Sequence, residues 1–222
     1  MKVAVFGKGK TGSKVIEILQ EQTDLIIFDS KTPPNKKDLL KVDALIAFVP
    51  SEVLYNYLDL FIDSKINLVS GATGLEWPSS INQRLVESNL KWISATNFSL
   101  GMNLIHKMIS DVLKKVDLIT NDYKFELSET HHTKKLDAPS GTAKSWHEWL
   151  HKDCEIESIR EGDVIGLHEL TLNLPSETIK LTHIAQDRSL FAKGSIKALK
   201  LLKDLKPGLH KFEDVVRSKL DV

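Results

Sequence analysis

The first 95 residues alternate between short apolar runs and stretches with helical periodicity, and this alternation constrains the fold more than any other feature. Strands are predicted at residues 2–6, 25–28, 43–49, 66–70 and 91–95, and helices at 11–22, 51–63 and 78–89. Residues 30–41 are predicted to form a loop, because Pro33 and Pro34 disfavour a helix there. The alternation predicts an α/β fold in which helices pack on a parallel sheet.

The alternation of strands and helices ends near residues 97–101, and beyond this point helices no longer separate the strands. Further strands are predicted at residues 123–131, 155–161, 164–174 and 177–184, and further helices at 101–116, 139–152, 193–204 and 211–219. Consecutive strands without intervening helices predict a mixed or antiparallel sheet in an α+β domain. We therefore expect one domain of residues 1–98 and 188–222, and a second of residues 99–187.

Composition excludes several classes of protein. The 222 residues carry 30 basic and 30 acidic side chains, and this balance disfavours a general nucleic-acid binder. Cys154 is the single cysteine, so the chain forms no internal disulfide and no cysteine-based zinc site. No apolar run approaches the roughly 18 residues of a membrane span. The expectation is a cytoplasmic protein without a membrane segment.

The sequence GKGKTG at residues 7–12 follows the first predicted strand and opens the first predicted helix. Asp29 stands at the end of the next strand, so the glycines and the acidic residue occur in the context of a dinucleotide site. Glycines let backbone amides approach a pyrophosphate, and Asp29 can accept hydrogen bonds from ribose hydroxyls. The alternative is that the glycines only form a tight turn and that Asp29 caps a loop.

Residues 129–143 combine two histidines, two lysines and the sequence DAPSGTA. Pro139 is expected early in a helix with Asp137 near its cap, and the following amides would then point out from the helix N-terminus. Those amides belong to Ser140, Gly141 and Thr142, and such an arrangement binds a carboxylate. Nearby His and Lys side chains supply positive charge and transferable protons. The alternative is a solvated polar loop leading into an ordinary helix.

A third pattern, His147-Glu148-Trp149-Leu150-His151, matches the H-E-x-x-H helix of zinc proteases. Glu169 is the candidate third ligand, and a zinc hydrolase is therefore one alternative function. A partly exposed amphipathic helix is the favoured interpretation, and no metal site is predicted. His168 and His183 lie in strand-like segments and are interpreted as structural histidines.

The segment ETHHTKKLDAPSGTA resembles the signature of the dihydrodipicolinate reductase family. The resemblance extends over nearly the whole chain, through GKGKTG, GATG at 71–74, NFSLGMN at 97–103, REG at 160–162 and residues 182–194. Two departures stand out: the region between Asp29 and Val42 is short, and Ala47-Phe48-Val49 replaces the family's Asp-Phe-Thr.

The resemblance implies roles for individual residues. His131 and Lys135 would be catalytic, and the substrate would be held by His132, Lys135, Ser140, Gly141 and Thr142. The cofactor NADH or NADPH would contact Gly7, Lys10, Thr11, Gly12, Asp29, Phe48, Gly71, Ala72, Thr73, Ala95, Asn97, Phe98 and Arg188.

The resemblance also implies a reaction. A reduced nicotinamide would reduce the dehydrated form of 4-hydroxy-tetrahydrodipicolinate, a cyclic imine dicarboxylate, in lysine and diaminopimelate biosynthesis. It further implies a homotetramer built through the sheet of the second domain. A non-catalytic nucleotide-sensing module is a second alternative, although the presence of His131 and Lys135 argues against it.

Overall fold

The computed structural model describes residues 2–187 and 189–220. The described chain divides into two compact units. Residues 2–99 and 189–220 form the parallel-sheet unit, and residues 100–187 form the mixed-sheet unit. The first unit therefore combines the two ends of the described chain, and the second is a continuous insertion into it.

The parallel-sheet unit confirms the predicted parallel sheet. Its strands are β1 (Val3–Phe6), β2 (Leu25–Phe28), β3 (Ala44–Ala47), β4 (Asn67–Ser70), β5 (Lys91–Ser94) and β10 (Gly208–Lys211). They lie in the order β10-β5-β4-β3-β1-β2, and each neighbouring pair is parallel. The chain order reverses between β1 and β3, and ligands of such sheets bind at the carboxyl ends of the strands flanking this point.

Helices cover both faces of this sheet. They are α1 (Lys10–Leu19), α2 (Lys36–Leu39), α3 (Ser51–Tyr55), α4 (Leu58–Asp63), α5 (Ile81–Glu87), α8 (Ser189–Leu201) and α9 (Phe212–Leu220), with a 3₁₀ helix at Leu202–Asp204. Alternate strand residues point to opposite faces. Leu45 and Leu68 pack with Phe61 of α4 on one face, whereas Ile46 and its neighbours pack with Ile196 of α8 on the other.

The predicted loop at residues 30–41 was wrong in part, because it contains α2. The Asn35 side chain accepts a hydrogen bond from the Asp38 amide and caps the helix. Leu39 is fully buried and anchors the short helix to the core. Pro33 and Pro34 precede the cap, so they limit where the helix begins but do not prevent it.

Two other predicted elements differ in this unit. The helix predicted at 51–63 is divided into α3 and α4, because the Tyr57 amide bonds to the Leu54 carbonyl and the regular ladder stops there. The Tyr57 ring instead packs between Phe6 and Phe61. Strand β10 was not predicted, since its sequence Gly-Leu-His-Lys carries no apolar run.

The mixed-sheet unit confirms the predicted mixed sheet. Its elements are α6 (Leu100–Asp111), a 3₁₀ helix (Leu113–Leu118), β6 (Lys124–His131), α7 (Gly141–Leu150), β7 (Ile156–Arg160), β8 (Leu167–Leu174) and β9 (Glu177–Ile184). The strand order is β7-β6-β8-β9, with β6 and β7 parallel and the other pairs antiparallel. The helix predicted at 101–116 is shorter than expected and continues as the 3₁₀ turn.

One face of the mixed sheet changes character along the strands. On β6, Phe125 and Leu127 are buried against α6 and α7, whereas the next two residues on that face are Glu129 and His131. The neighbouring strand β8 shows the same change: His168 pairs in register with Glu129, whereas Leu170 and Leu172 on the same face pair with Leu127 and Phe125 and are buried. The buried face therefore has an apolar half, which holds the helices, and a polar half.

Candidate active site

The glycine-rich turn joins β1 to α1 at the carboxyl edge of the parallel sheet. Gly7 has a φ of +106°, and a Cβ there would lie 2.3 Å from the Phe48 carbonyl oxygen. A Cβ at Gly12 would lie 2.0 Å from the Gly7 carbonyl oxygen. Gly9 is the N-cap residue of α1 and has no side chain, so no side chain of the cap residue covers the helix N-terminus. A backbone cradle of this shape fits the pyrophosphate of a dinucleotide.

Asp29 follows β2 and has partners on both carboxylate oxygens. Oδ1 accepts hydrogen bonds from the Lys31 and Thr32 amides at 2.9 and 2.8 Å and from the Thr32 hydroxyl. Oδ2 pairs with Lys8 Nζ at 2.7 Å. The Lys8 side chain first, and then the Thr32 and Lys31 donors, hold the pKa of Asp29 well below its usual range. Asp29 thus caps a loop, as the alternative interpretation proposed, and it also stands where a ribose site requires an acidic residue.

The other cofactor residues predicted in this unit follow the carboxyl ends of β3, β4 and β5. Phe48 follows β3, and its ring lies where a Gly71 side chain would be, 2.2 Å from the added Cβ. The rings of Phe48 and the buried Phe98 are 5.9 Å apart. The structure thus places these residues at one sheet edge, together with Ala72, Thr73, Ala95 and Asn97. Arg188 lies outside the described residues.

The polar half of the mixed sheet is organised around Glu129, whose side chain is fully buried. Glu129 Oε2 is hydrogen-bonded to His131 Nδ1. Glu129 Oε1 accepts from Arg160 Nη2 at 2.8 Å and from the Ser140 amide at 3.2 Å. Ser140 Oγ in turn contacts His168 Nε2 at 3.1 Å. These five residues come from β6, β7, β8 and the start of α7, and they form one connected network.

Burial and hydrogen bonding set the protonation of this network. Burial alone would raise the pKa of Glu129, but the hydrogen bonds from Arg160 and His131 outweigh it and bring that pKa to about 2. Burial lowers the pKa of His131, although the Glu129 carboxylate opposes the shift. Burial, with the nearby His131, lowers the pKa of His168 to about 4. Glu129 is therefore ionised and His168 neutral at neutral pH.

The start of α7 differs from the expectation. Ser140, not Asp137, is the N-cap, and its Oγ accepts from the Ala143 amide at 3.2 Å. Pro139 precedes the helix. Since the Ser140 amide is already bonded to Glu129, the amides that remain for an anion at this helix end are those of Gly141 and Thr142.

Lys135 and His132 lie in the loop between β6 and α7. The loop is fixed to its surroundings by the His132 amide, which bonds to the Val164 carbonyl at 2.7 Å, and by the Lys135 amide, which bonds to the His132 carbonyl at 3.0 Å. Lys135 Nζ pairs with Asp137 Oδ1 at 2.8 Å. This salt bridge lowers the pKa of Asp137 and holds the ammonium group on the loop that leads to Gly141 and Thr142 at the start of α7.

Two sets of side chains in the described ranges are candidates for metal ligands. In the described ranges, the one group of three with ligand atoms within 4.8 Å is Glu129, His131 and His168. Arg160 already supplies the positive charge next to that carboxylate, so we assign these side chains to the hydrogen-bond network. The H-E-x-x-H pattern does not belong to this group: His147 lies in α7, and His151 ends it with a φ of +51°. The helix interpretation of that pattern fits the structure.

Sequence reasoning gave no role to Glu129 or Arg160 and interpreted His168 as a structural histidine. A signal for Glu129 was present, because it shares the period-two pattern of β6 with Phe125 and Leu127. A carboxylate on the buried side of a strand needs a partner. The partner comes from β7, however, and that pairing is not visible in the sequence.

Comparison with known proteins agrees with the geometry. The family model described as "Dihydrodipicolinate reductase, C-terminus" matches residues 101–216. The 4-hydroxy-tetrahydrodipicolinate reductase of Haloarcula marismortui is 30% identical, with 97% of this chain and 98% of that protein covered. The enzyme of the same name from Alkaliphilus oremlandii is also 30% identical, with 79% and 80% covered.

Among solved structures, a dipicolinate-bound dihydrodipicolinate reductase from Paenisporosarcina sp. TG-14 has a TM-score of 0.79. It is 20% identical, and the comparison covers 96% of this chain and 98% of that one. Aspartate semialdehyde dehydrogenase II from Vibrio cholerae has a TM-score of 0.56 at 10% identity, covering 91% and 98%. These two similarities establish a shared fold.

Proposed function

This chain belongs to the dihydrodipicolinate reductase family, and from that membership we propose how its residues carry out the reaction. The chain is an NAD(P)H-dependent oxidoreductase of lysine and diaminopimelate biosynthesis. It reduces the dehydrated form of 4-hydroxy-tetrahydrodipicolinate to tetrahydrodipicolinate. Residues 1–98 and 188–222 form the dinucleotide-binding domain, and residues 99–187 form the substrate-binding and oligomerisation domain.

The parallel-sheet unit binds NADH or NADPH in this proposal. The pyrophosphate is held by the turn of Gly7, Lys10, Thr11 and Gly12, and Asp29 binds the adenosine ribose. The nicotinamide end is lined by Phe48, Gly71, Ala72, Thr73, Ala95, Asn97 and Phe98, and Arg188 completes the set. The cradle at Gly7 and Gly12, which an added Cβ would fill, supports this assignment. A bound reduced nicotinamide supplies the hydride.

The mixed-sheet unit binds the dicarboxylate in this proposal. The free amides of Gly141 and Thr142 at the start of α7 receive one carboxylate, with Ser140 fixing the helix end. His132 and Lys135 supply charge-assisted contacts from the neighbouring loop. Dipicolinate, bound by the Paenisporosarcina enzyme, is a planar dicarboxylate of the same kind and supports this class of substrate.

His131 and Lys135 balance the charge of the reduction. Hydride adds to one carbon of the conjugated imine, and the displaced electron pair becomes negative charge on the ring. The Lys135 ammonium stabilises that charge, and one proton from Lys135 Nζ or His131 Nε2 completes the reduction. The observation that best supports this proposal is that His131 and Ser140, the N-cap residue of α7, belong to one buried hydrogen-bond network. Lys135 lies on the loop that leads to this N-cap.

Steady-state kinetics with enzymatically generated substrate test this proposal. We expect Lys135→Ala to lower kcat by at least about 10²-fold and to raise KM, because Lys135 serves both binding and proton transfer. We expect His131→Ala to lower kcat strongly with a smaller change in KM, and neither variant should weaken NADH binding much.

His147→Ala is the matched control, since His147 lies farther along α7 than the loop and the helix start that carry the site. Loss of activity in His147→Ala together with retained activity in Lys135→Ala would contradict the assignment. Cofactor binding without turnover in the unmodified protein would favour the nucleotide-sensing alternative.

The protein is also proposed to be a cytoplasmic homotetramer. The edge of the mixed sheet supports an interface between copies: β9 has a partner on one side in the described sheet, and Ile179 and Ile184, which point to opposite faces of this strand, are 47% and 59% exposed. Light scattering should give four times the mass of the 25.0 kDa chain, and a monomeric mass would contradict it. Within the described ranges, no helix is both long and apolar enough to span a membrane.

A further inference from the structure

The buried carboxylate of Glu129 has no part in the chemistry proposed above, yet it contacts the groups that do. It is 0% exposed, and an ionised group in such a position is retained only with several strong partners. Those partners are His131, Arg160 and the Ser140 amide. Each of them leads to a different part of the substrate-binding region, so the carboxylate lies at the point where these parts meet.

The contact with His131 determines which imidazole nitrogen is available. Glu129 and His131 are two residues apart on β6 and therefore face the same side. Because Nδ1 donates to the Glu129 carboxylate, Nε2 is the nitrogen that can exchange a proton. Gly166 keeps that side of the ring accessible, since a Cβ there would lie 3.2 Å from Nε2.

The contact with Arg160 connects the carboxylate to the lysine loop. Arg160 Nη2 donates both to Glu129 Oε1 at 2.8 Å and to the Asp137 carbonyl oxygen at 2.6 Å. The Asp137 side chain in turn pairs with Lys135 Nζ at 2.8 Å. A single guanidinium group thus joins the strand that carries His131 to the loop that carries Lys135.

We propose that Glu129 and Arg160 are positioning residues for this reaction: Glu129 fixes the tautomer and basicity of His131, and Arg160 ties the Lys135 loop to the same carboxylate. The inference rests on the proposed function, because it takes His131 and Lys135 as the groups that exchange protons with the substrate. Glu129 itself does not contact the substrate in this proposal.

Four charged or titratable groups face His131 from the surrounding elements. Glu129 on β6 stabilises the imidazolium, whereas Lys135 on the loop and Arg160 on β7 oppose it. His168 on β8, whose ring is 5.1 Å from that of His131, is neutral. Burial and the two cations lower the pKa of His131, and the Glu129 carboxylate limits that decrease. Removing the carboxylate charge should therefore lower the pKa of His131 further.

Glu129→Gln tests the proposal, because glutamine keeps the size of the side chain and removes its charge. We expect kcat to fall at least about tenfold while KM changes less than about threefold. Activity that requires protonated His131 is lost as pH rises through its pKa. The alkaline limb of the kcat profile should therefore move to lower pH by at least about half a unit.

Glu126→Gln is the matched control. Glu126 lies on the same strand, but its side chain is exposed and pairs with Lys124. We expect its kcat and pH profile to match those of the unmodified protein. If Glu129→Gln behaves like Glu126→Gln, or lowers kcat without moving the limb, the positioning role is overturned.

A titration without turnover separates this inference from the proposed function. NMR of isotopically labelled histidines, with His131 assigned by substitution, should show its pKa lower in Glu129→Gln than in the unmodified protein. An unchanged titration overturns the inference even if the enzyme is active, and a shift supports it even if the assay fails.

Arg160→Lys provides a second variant if Glu129→Gln does not fold. Lysine keeps the charge next to Glu129 but cannot reproduce the planar donor group that holds the Asp137 carbonyl. We expect KM for the dicarboxylate to rise at least about threefold, because the Lys135 loop loses its attachment. An unchanged KM overturns the link to that loop.

Discussion

Lys8 and Asp29 form a residue pair that bears directly on cofactor choice. An acidic residue at the end of β2 repels the 2′-phosphate of NADPH, whereas a cation beside it attracts that phosphate. Lys8 Nζ lies 2.7 Å from Asp29 Oδ2, and half of its side chain is exposed, so it can turn toward a phosphate. In this pair Asp29 favours NADH, whereas Lys8 favours NADPH.

We expect the protein to use NADH and NADPH within about tenfold of each other, which corresponds to about 1.4 kcal/mol. Lys8→Ala should lower kcat/KM for NADPH more than for NADH, because the 2′-phosphate then meets Asp29 alone. Lys36→Ala on α2 is the control and should leave the ratio unchanged. Equal losses for both cofactors would show that Lys8 does not contact the 2′-phosphate.

Gly166 offers a second test at this scale. A methyl group at this position would lie 3.2 Å from His131 Nε2, a closer approach than most side chains tolerate. Gly166→Ala should therefore lower kcat by at least about tenfold without changing the dissociation constant for NADH, which fluorescence titration measures. An unchanged kcat would mean that Nε2 is not the nitrogen that transfers the proton.

The sequence predicted these sites unevenly. Gly7, Gly12 and Asp29 were recognisable because a turn, a helix start and a strand end enclose them in a fixed order. His131, Lys135 and Ser140 came from a resemblance, and their local spacing alone left a polar loop as an equal alternative. Glu129 and Arg160 lie 31 residues apart in the sequence and meet only when β6 and β7 pair.

At the level of elements, α7 links local capping to the active-site network. Ser140 Oγ accepts from the Ala143 amide and also contacts His168, so its removal affects both the helix and the sheet beneath it. We expect Ser140→Ala to destabilise the protein by about 1–2 kcal/mol, and thermal unfolding should show a Tm lower by several degrees.

Ser145→Ala on the same helix is the matched control. The Ser145 hydroxyl donates to the Gly141 carbonyl within its own helix, and the residue is half-buried. Its Tm should stay within about a degree of the unmodified protein. A comparable loss in both variants would indicate that capping at Ser140 contributes little.

Elements with strong patterns were predictable, and those held by tertiary contacts were not. Strands β1 and β3 are continuous apolar runs, as strands buried on both faces are, and they lie where expected. Strand β10 is polar and exists because it pairs with β5 at the sheet edge. The division between α3 and α4 depends on the Tyr57 ring packing against Phe6, which no local pattern encodes.

For the whole molecule, the buried network predicts sensitivity to acid. The pKa of His168 is about 4 in the folded protein against 6.5 for an ordinary histidine, so the stability that it contributes is lost as pH falls from 6.5 to 4. This loss amounts to at most about 3 kcal/mol. Glu129, with a pKa of about 2 against 4.5, adds a further loss between pH 4.5 and 2.

Urea unfolding followed by circular dichroism from pH 7 to 4 measures the first of these losses. His168→Gln removes the titrating group, so its midpoint should depend less on pH than that of the unmodified protein. His151→Asn is the control, because His151 is exposed and asparagine tolerates its left-handed backbone. Equal pH dependence in all three proteins would contradict a neutral, buried His168.

Helix α8 has a consequence for the order in which the chain is made. Its Ile196 and Leu199 cover one face of the strands that contain Val5, Ile46 and Val69, and Gly194 packs directly on the Phe98 carbonyl. A ribosome that has finished β5 must add roughly 100 more residues before α8 emerges, which takes about 5–20 s. During that interval the part of this sheet face that α8 covers is exposed, although Val15 and Leu19 of α1 already pack on the face. We therefore expect the nascent chain to bind chaperones until residues 189–201 have been synthesised, whereas the sequence of the inserted unit is complete earlier.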